Sequence, residues 1–458
     1  MKSNMTRRQF VRSQLALAVA AGAFPTLIPA SALGGEGKTA PSSRITVAGI
    51  GTGPQGRGVM NGFLRQEDAQ VIAVCDVKQD NLEVARTAVN QHYGNSDCKT
   101  YDDFRELLAR KDLDAVIIAT PDHWHCHVGV AAARAGKDMY LEKPMGLSLA
   151  EDQALRKAVQ RKKRVFQFGT QQRSSTEFQK AISLVRTGRI GKLKQINVWS
   201  AASRPGGSTA PIPAPTNMNY DFWLGPARAT PYTLGKSADE GGAWKTWWFH
   251  TDYALGFVAG WGVHPLDIAL WGHPAMMEGT MEVEGKAIFP TDGFCNTSIA
   301  LDVNFTFADG VRMNFRGTRN GYEQTNALND MSPFEAKYGK VADHGTAFEG
   351  TDGWLLVRRG QLRTQPDTLT ELPPAQELFA RRSTNHVRNF LDCVKSRERT
   401  VCPIEEAVQA DLLCQLSDIA TRLERKLKFD PVTEKFPKDA EANRKLALRP
   451  MRKPWSLA

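Results

Sequence analysis

What this sequence lacks narrows its class. It contains no Cys-x-x-Cys pair, and its seven cysteines form an odd set at irregular spacings, so no disulfide framework is expected and the thiols should be buried. Beyond position 32 no apolar run reaches the roughly 20 residues that a spanning helix needs, which argues against stable membrane insertion. Charge of one sign is not concentrated either. Four basic and no acidic residues lie in positions 1–32, so the net charge falls from +10 to +6 without them. The one dense basic run, Arg161-Lys162-Lys163-Arg164, reads as a solvated helix end, and no nucleic-acid-binding motif accompanies it. Disorder is excluded by a hydrophobic content of 41%, which over 458 residues supports a sizeable core and two domains.

What is present is organised around a glycine turn. The apolar run Ile45-Thr46-Val47-Ala48-Gly49-Ile50 has the length of a buried strand and leads into Gly51-x-Gly53-x-x-Gly56, after which a helix can continue to Leu64. Gly51 permits a tight turn, Gly53 lets backbone N–H groups approach a pyrophosphate, and Gly56 lets the helix pack on the strand. A second strand, Val71 to Cys75, ends in Asp76, placed to accept ribose hydroxyls and to repel a 2′-phosphate. The expected cofactor is therefore NAD rather than NADP, with Lys78 leaving some room for the phosphate.

Ahead of this turn, Thr6-Arg7-Arg8-Gln9-Phe10-Val11-Arg12 resembles a twin-arginine export signal, followed by an apolar stretch from Leu15 to Phe24 and a small-residue cleavage site at Ala30-Ser31-Ala32. The expectation is a signal peptide over 1–32, a linker over 33–43, and a mature protein delivered by the twin-arginine machinery to the periplasm or beyond. That route carries folded proteins, often with a cofactor already bound, and folding in a reducing cytoplasm fits the absence of a disulfide pattern.

After Asp76, helix and strand signals alternate: a helix over Asn81 to Tyr93, a short one from Asp102 to Ala109, and a strand from Asp114 to Ala119. Such βαβ repetition implies a doubly wound parallel sheet with its ligand crevice beyond the strands' carboxyl ends. At that edge lies Thr120-Pro121-Asp122-His123-Trp124-His125-Cys126-His127. Histidines two apart on a helix do not face one another, so these are read as covering the nicotinamide side of the cofactor, with no metal site. The next strand, Asp138 to Leu141, ends in Glu142-Lys143-Pro144. Proline keeps Lys143 out of helical geometry at the strand's carboxyl end, where a lysine can take part in proton transfer. Ser148-x-x-Glu151 reads as a capping box, and Arg164 to Phe168 as the last strand of this domain.

Together the glycine turn, Cys75-Asp76, Thr120-Pro121-x-x-x-His125, Gly136-Lys137 and Glu142-Lys143-Pro144 resemble the glucose–fructose oxidoreductase / inositol dehydrogenase (Gfo/Idh/MocA) family. Asn385-His386-x-x-Asn389-Phe390-Leu391-Asp392 and the Pro454-Trp455 tail resemble its exported bacterial members. The resemblance implies a Rossmann domain (44–170), then an α/β domain (171–425) with a large, mainly antiparallel open sheet that often forms the interface of a homo-oligomer, then a C-terminal tail (426–458). It also implies sugar or cyclitol substrates. Cofactor contacts are expected from Gly51, Gly53, Gln55, Gly56, Asp76, Thr120, Pro121, His125, Glu142 and Lys143.

The second half contains a capping-box candidate at Ser174-x-x-Glu177 and stretches Leu193 to Ser200, Ile299 to Phe307 and Val311 to Phe315 that read as antiparallel strands. Arg204 to Pro215 reads as a surface loop. The aromatic segment Ala243-Trp244-Lys245-Thr246-Trp247-Trp248-Phe249-His250 could stack on a pyranose ring. Within Gly260-Trp261-Gly262-Val263-His264-Pro265-Leu266-Asp267, His264 matches the family's catalytic histidine, but the family's Asp four residues earlier is here Gly260. Asp252, Tyr253 or Asp267 could take the place of that carboxylate, and Arg173, Trp248, Asp252, Tyr253 and Asp267 are the candidate substrate contacts. The leading reading is an exported NAD-dependent oxidoreductase acting on a sugar or cyclitol CH–OH, with Lys143 and His264 handling the hydroxyl proton. The alternatives are an NAD-dependent glycosidase working by transient oxidation, elimination and re-reduction, and a non-catalytic module that keeps a nucleotide as a structural ligand.

Overall fold

A computed structural model describes residues 43–237, 246–371 and 383–457. The expected signal peptide, the linker except residue 43, and residues 243–245 of the aromatic segment lie outside the described residues.

The strands β1 (Ile45–Ile50), β2 (Ala69–Cys75), β3 (Lys99–Tyr101), β4 (Ala115–Ile118), β5 (Asp138–Leu141) and β6 (Phe166–Phe168) form a six-stranded parallel sheet in the order β3-β2-β1-β4-β5-β6. The central strands β4 and β5 are buried along their whole length, as a sheet covered on both faces requires. Its helices are α1 (Pro54–Leu64), α2 (Gln79–Tyr93), α3 (Phe104–Leu108), α4 (Asp122–Arg134) and α5 (Leu149–Lys162). The strand order reverses between β1 and β4, which opens a crevice at their carboxyl ends.

The second sheet has eight strands in the order β13-β12-β11-β7-β10-β9-β8-β14. They are β7 (Leu193–Ser200), β8 (Met281–Ile288), β9 (Ala300–Thr306), β10 (Arg312–Gly317), β11 (Gly345–Gly350), β12 (Trp354–Arg358), β13 (Gln361–Gln365) and β14 (Leu427–Phe429). All neighbours run antiparallel except β7 and β10, which pair in parallel, Arg312 opposite Gln195 through Gly317 opposite Ser200. The reading of both as antiparallel strands is corrected there. The intervening helices are α6 (Thr176–Arg186), α7 (Tyr220–Leu224), α8 (Phe257–Gly260), α9 (Val263–Gly272), α10 (Ser332–Tyr338), α11 (His386–Ser396), α12 (Ile404–Leu423) and α13 (Ala440–Leu446).

Two elements tie the halves together. Helix α12 is buried over most of its length, Asp411, Gln415 and Ser417 included, and packs against α5, α9 and β8. Helix α11 packs Phe390 and Leu391 into the core of the first sheet, with Phe390 edge-on to Phe63 at 5.9 Å. The stretch after residue 425, expected as a tail, instead supplies edge strand β14 and helix α13.

The capping boxes also differ from expectation. The Glu151 carboxylate accepts from the Leu147 N–H at 3.0 Å, and the Ser148 side chain makes no cap bond. Ser174 instead bonds His386 Nδ1 at 2.8 Å, and Glu177 accepts from the Gly360 N–H.

Candidate active site

The crevice at the β1–β4 switch contains a cavity of about 310 Å³, bordered by the glycine turn, Asp76, the Thr120–Asp122 loop and Glu142-Lys143. The turn is built for close approach. Gly51 has φ +82° and donates its N–H to Cys75 O, and a Cβ there would stand 2.5 Å from Ala119 O. A Cβ on Gly56 would stand 1.9 Å from Gly51 O, whereas one on Gly53 would meet nothing within 4 Å. Backbone thus packs on backbone at Gly51 and Gly56, while space is left open at Gly53, where α1 begins with its N–H groups free for an anion.

Asp76 closes one end. Its carboxylate accepts from the Thr52 N–H (2.8 Å), the Lys78 N–H (2.9 Å) and Asn81 Nδ2 (3.2 Å). Burial pushes its pKa up, against the lowering effect of the Lys78 and Thr52 N–H groups. A strap from the second half crosses this end: Gln79 donates its N–H to Asn217 O and Asn219 donates to Val77 O, both at 2.9 Å. The strap brings Met218, Phe222 and Trp223 onto the cavity wall. Phe222 stacks on Trp124 at 5.6 Å, and Trp455 of the C-terminal segment backs both rings at 5.2 and 4.7 Å. These strap residues were not foreseen. The available signal was Asn219 ahead of Tyr220-Asp221-Phe222-Trp223, an N-cap whose side chain accepts from the Phe222 N–H at 3.0 Å.

At the other end, β5 delivers Glu142 and Lys143. The loop behind them is anchored by Asp411 of α12, which accepts from the Met145 N–H at 3.1 Å and from Gln415 Nε2 at 3.0 Å. Burial pushes Asp411 up to about 6. His125 donates its Nδ1–H to Pro144 O (2.5 Å), and burial lowers its pKa to about 4, so the ring is neutral at neutral pH. Lys143 Nζ donates to Gly260 O at 3.1 Å and lies 5.3 Å from the Trp248 ring centroid. Both Glu142 carboxyl oxygens, Asp122 Oδ2 and Thr120 Oγ1 are buried without a close hydrogen-bond partner among the described residues. These orphaned groups, beside a glycine turn with open space at Gly53 and a ribose-spaced aspartate, fit an extended dinucleotide along the crevice.

His264 is the second residue of α9, 3% exposed, with Trp261 edge-on at 5.9 Å. Burial lowers its pKa well below the usual imidazole value, and the charges of Lys143 and Arg359 push the same way. It does not border the cavity itself but lies within electrostatic reach of Lys143.

Of the substrate candidates, only Trp248 borders the cavity. Arg173 and Asp267 form a fully buried pair (2.8 and 2.5 Å), and Arg173 also binds Glu406. This replaces the expected substrate contact with a structural one. Tyr253 is fully buried, its hydroxyl 3.0 Å from Thr230 Oγ1, while Asp252 faces Arg228 at 3.6 Å and His250 at 4.0 Å. None of the three foreseen substitutes for a carboxylate at position 260 borders the cavity, because each is held by its own partners. Among the described residues no cluster of His, Cys, Asp or Glu could hold a metal.

Comparison with known proteins agrees with this architecture. Residues 44–170 match the family model described as an oxidoreductase family with an NAD-binding Rossmann fold, and residues 337–457 match its C-terminal alpha/beta domain. A glycosyl hydrolase family 109 protein from Shewanella sp. (strain ANA-3) is 31% identical over 163 residues, covering 32% of this chain and 36% of its own length. The chain thus matches about a third of the length of such relatives. Among solved structures, the WlbA dehydrogenase from Bordetella pertussis in complex with NADH and UDP-GlcNAcA aligns at a TM-score of 0.60 and 14% identity, covering 84% of this chain and 98% of that one. The aldose-aldose oxidoreductase from Caulobacter crescentus aligns at 0.59 and 17%, covering 84% and 100%. With its parallel sheet, its NAD-fitted crevice and its large second sheet, the chain belongs to the Gfo/Idh/MocA oxidoreductase family.

Proposed function

We propose that this protein is exported through the twin-arginine machinery and works in the periplasm or outside the cell as an NAD-dependent oxidoreductase on a sugar or cyclitol CH–OH, assembled as a homo-oligomer through its large sheet. The observation that carries the reading is the crevice itself. Asp76 stands at one end and Lys143 at the other, with Gly51, Gly53 and Gly56 between them. Bound NAD supplies a two-electron hydride acceptor there. The chain's own residues do the rest. Asp76 holds the ribose end, Gln55 and the turn hold the phosphates, and Thr120, Pro121, His125 and Glu142 border the nicotinamide end. Trp248 offers an aromatic face to a sugar ring. Lys143 Nζ, on the cavity wall, takes the hydroxyl proton, and neutral His264 is available to relay it.

A second reading is a redox-neutral glycosidase that oxidises, eliminates, hydrates and re-reduces. Two observations favour it: similarity to glycosyl hydrolase family 109 proteins, and Gly260 in place of the usual acid. Both readings need the same base. Lys143→Ala and His264→Ala are expected to cut turnover of the protein's substrate by about a hundredfold or more, the usual size of a positioned acid–base contribution, with NAD affinity largely kept. Full activity in both would remove the assignment. Net NADH accumulation with free sugars separates the first reading from the second. Retention of the folded precursor in the cytoplasm on changing Arg7 and Arg8 to Lys tests export.

A further inference from the structure

Gly260 leaves Lys143 without the acid that the family places four residues before its histidine, and a side chain at that position would crowd Trp248. A Cβ at position 260 would lie 3.2 Å from Trp248 Nε1 and 3.5 Å from Trp248 Cε2, so the indole would have to give by a few tenths of an ångström. A different carboxylate reaches the same corner of the cavity. Asp122 opens α4 directly after Pro121, is 2% exposed and borders the cavity together with Lys143 and Trp248. Its Oδ2 has no close hydrogen-bond partner among the described residues. The groups facing it are Lys143 from the β5 loop, whose cation favours the carboxylate, Asp411 from α12, whose charge disfavours it, and the Trp248 indole N–H, which favours it. Burial outweighs them and raises the Asp122 pKa well above the usual carboxylate range.

We propose that Asp122 is the positioning carboxylate of Lys143, standing in for the acid absent at position 260 and receiving the proton that passes through Lys143 from the substrate hydroxyl. The inference rests on the reading of Lys143 as the group that takes that proton. In the step, an Nζ–H of the Lys143 ammonium breaks and its proton passes through a cavity water to form an O–H at Asp122 Oδ2, which frees the Nζ electron pair, and the substrate O–H then breaks as an N–H forms at Nζ. Lys143 keeps its proton count, the substrate oxygen keeps the electron pair, and Asp122 becomes a neutral acid. Burial of Asp122 makes that neutral end state accessible.

The test has a substrate-independent arm and a kinetic arm, both on NAD-loaded protein. In the first, infrared difference spectra of wild type against Asp122→Asn are recorded from about pH 5 to about pH 9, the range of strongly shifted buried carboxyls. They should show a carboxylic-acid C=O band that titrates, and in Lys143→Met this band should persist to higher pH because the nearby cation is gone. In the second, Asp122→Asn keeps the side-chain shape. It should lower the maximal rate on myo-inositol, D-glucose or an aryl glucoside by about a hundredfold and alter the acidic limb of the pH profile, with KM and NAD affinity little changed. Asp122→Glu should recover part of the rate. A band indifferent to Lys143→Met, or a wild-type rate and pH profile in Asp122→Asn, overturns the proposal. If wild-type protein turns over none of the three probes, the functional reading fails on that panel, and the infrared arm alone decides on Asp122.

Discussion

The glycine turn allows two one-methyl substitutions with opposite expected phenotypes. In Gly56→Ala the new Cβ would stand 1.9 Å from Gly51 O and 3.3 Å from the Ala119 side chain, well inside ordinary contact. Gly51 cannot retreat easily, since its N–H is tied to Cys75 O at 2.9 Å and its φ is +82°. Relief requires backbone movement of more than about an ångström, and overpacking of this kind costs about 1–3 kcal/mol or more. In Gly53→Ala the methyl meets nothing within 4 Å, and the residue has φ −60° and ψ −179°, which alanine adopts freely. Stability should then hold or rise by about 0.4–1 kcal/mol through the unfolded chain. That open space, however, is where a pyrophosphate approaches, and a loss of at least tenfold in NAD affinity, about 1.4 kcal/mol, is expected. Thermal unfolding of nucleotide-stripped protein and calorimetric NAD titration read the two effects separately. Wild-type NAD affinity in Gly53→Ala, or wild-type unfolding temperature in Gly56→Ala, would refute the assignment of space to the one and contact to the other.

Asp76→Ala should weaken NAD binding and narrow the preference against NADP, checked by titrating both nucleotides; equal affinity of the unmodified protein for the two would show that Asp76 does not discriminate. Arg173→Met should lower stability by about 3–5 kcal/mol, the usual result of stranding one partner of a buried pair, yet leave KM unchanged in the protein that still folds; denaturant melts and steady-state kinetics check this. At Asp68, burial raises the carboxyl pKa, but hydrogen bonds and charge from Arg388 and Lys395 win and lower it to about 2. A folded pKa below the unfolded one means stability present above about pH 4 and lost as the pH falls through about 2, at most about 2 kcal/mol. Urea melts of Asp68→Asn and wild type should therefore differ at neutral pH and converge over that acid window.

The first half was legible because its signals are local. The strand, glycine turn and terminal Asp76 sit within one stretch whose covalent geometry nearly determines the crevice, and Thr120-Pro121 and Glu142-Lys143 follow at the ends of β4 and β5. Long-range pairings were less accessible. Alternation marked β7 and β10 as strands, but nothing in either segment says that they run parallel, since that depends on the path of the chain between them. Arg173 and Asp267 looked like substrate contacts because unpaired charges near a catalytic motif invite that reading; their partnership spans 94 positions. Asp122 was passed over for a similar reason. In sequence it is an acidic residue at a helix start, and only the folded chain brings it to the cavity wall beside Lys143 and Trp248. The strap carrying Met218 and Phe222 reaches the crevice through backbone bonds to Val77 and Gln79, which leave no mark on either segment.

The central claim, that a CH–OH hydrogen leaves as hydride to a nicotinamide held in this crevice, is tested most directly by isotope transfer. NAD-loaded protein is incubated with its substrate deuterated at the CH–OH carbons, and the nucleotide is extracted and weighed by mass spectrometry. The sample is quenched during turnover, because a glycosidase returns the deuteride to its product; deuterium on the reduced nicotinamide ring, abolished by Lys143→Ala, is then the result predicted under both the dehydrogenase and the glycosidase readings. Substrate turnover with an unlabelled nucleotide would contradict it.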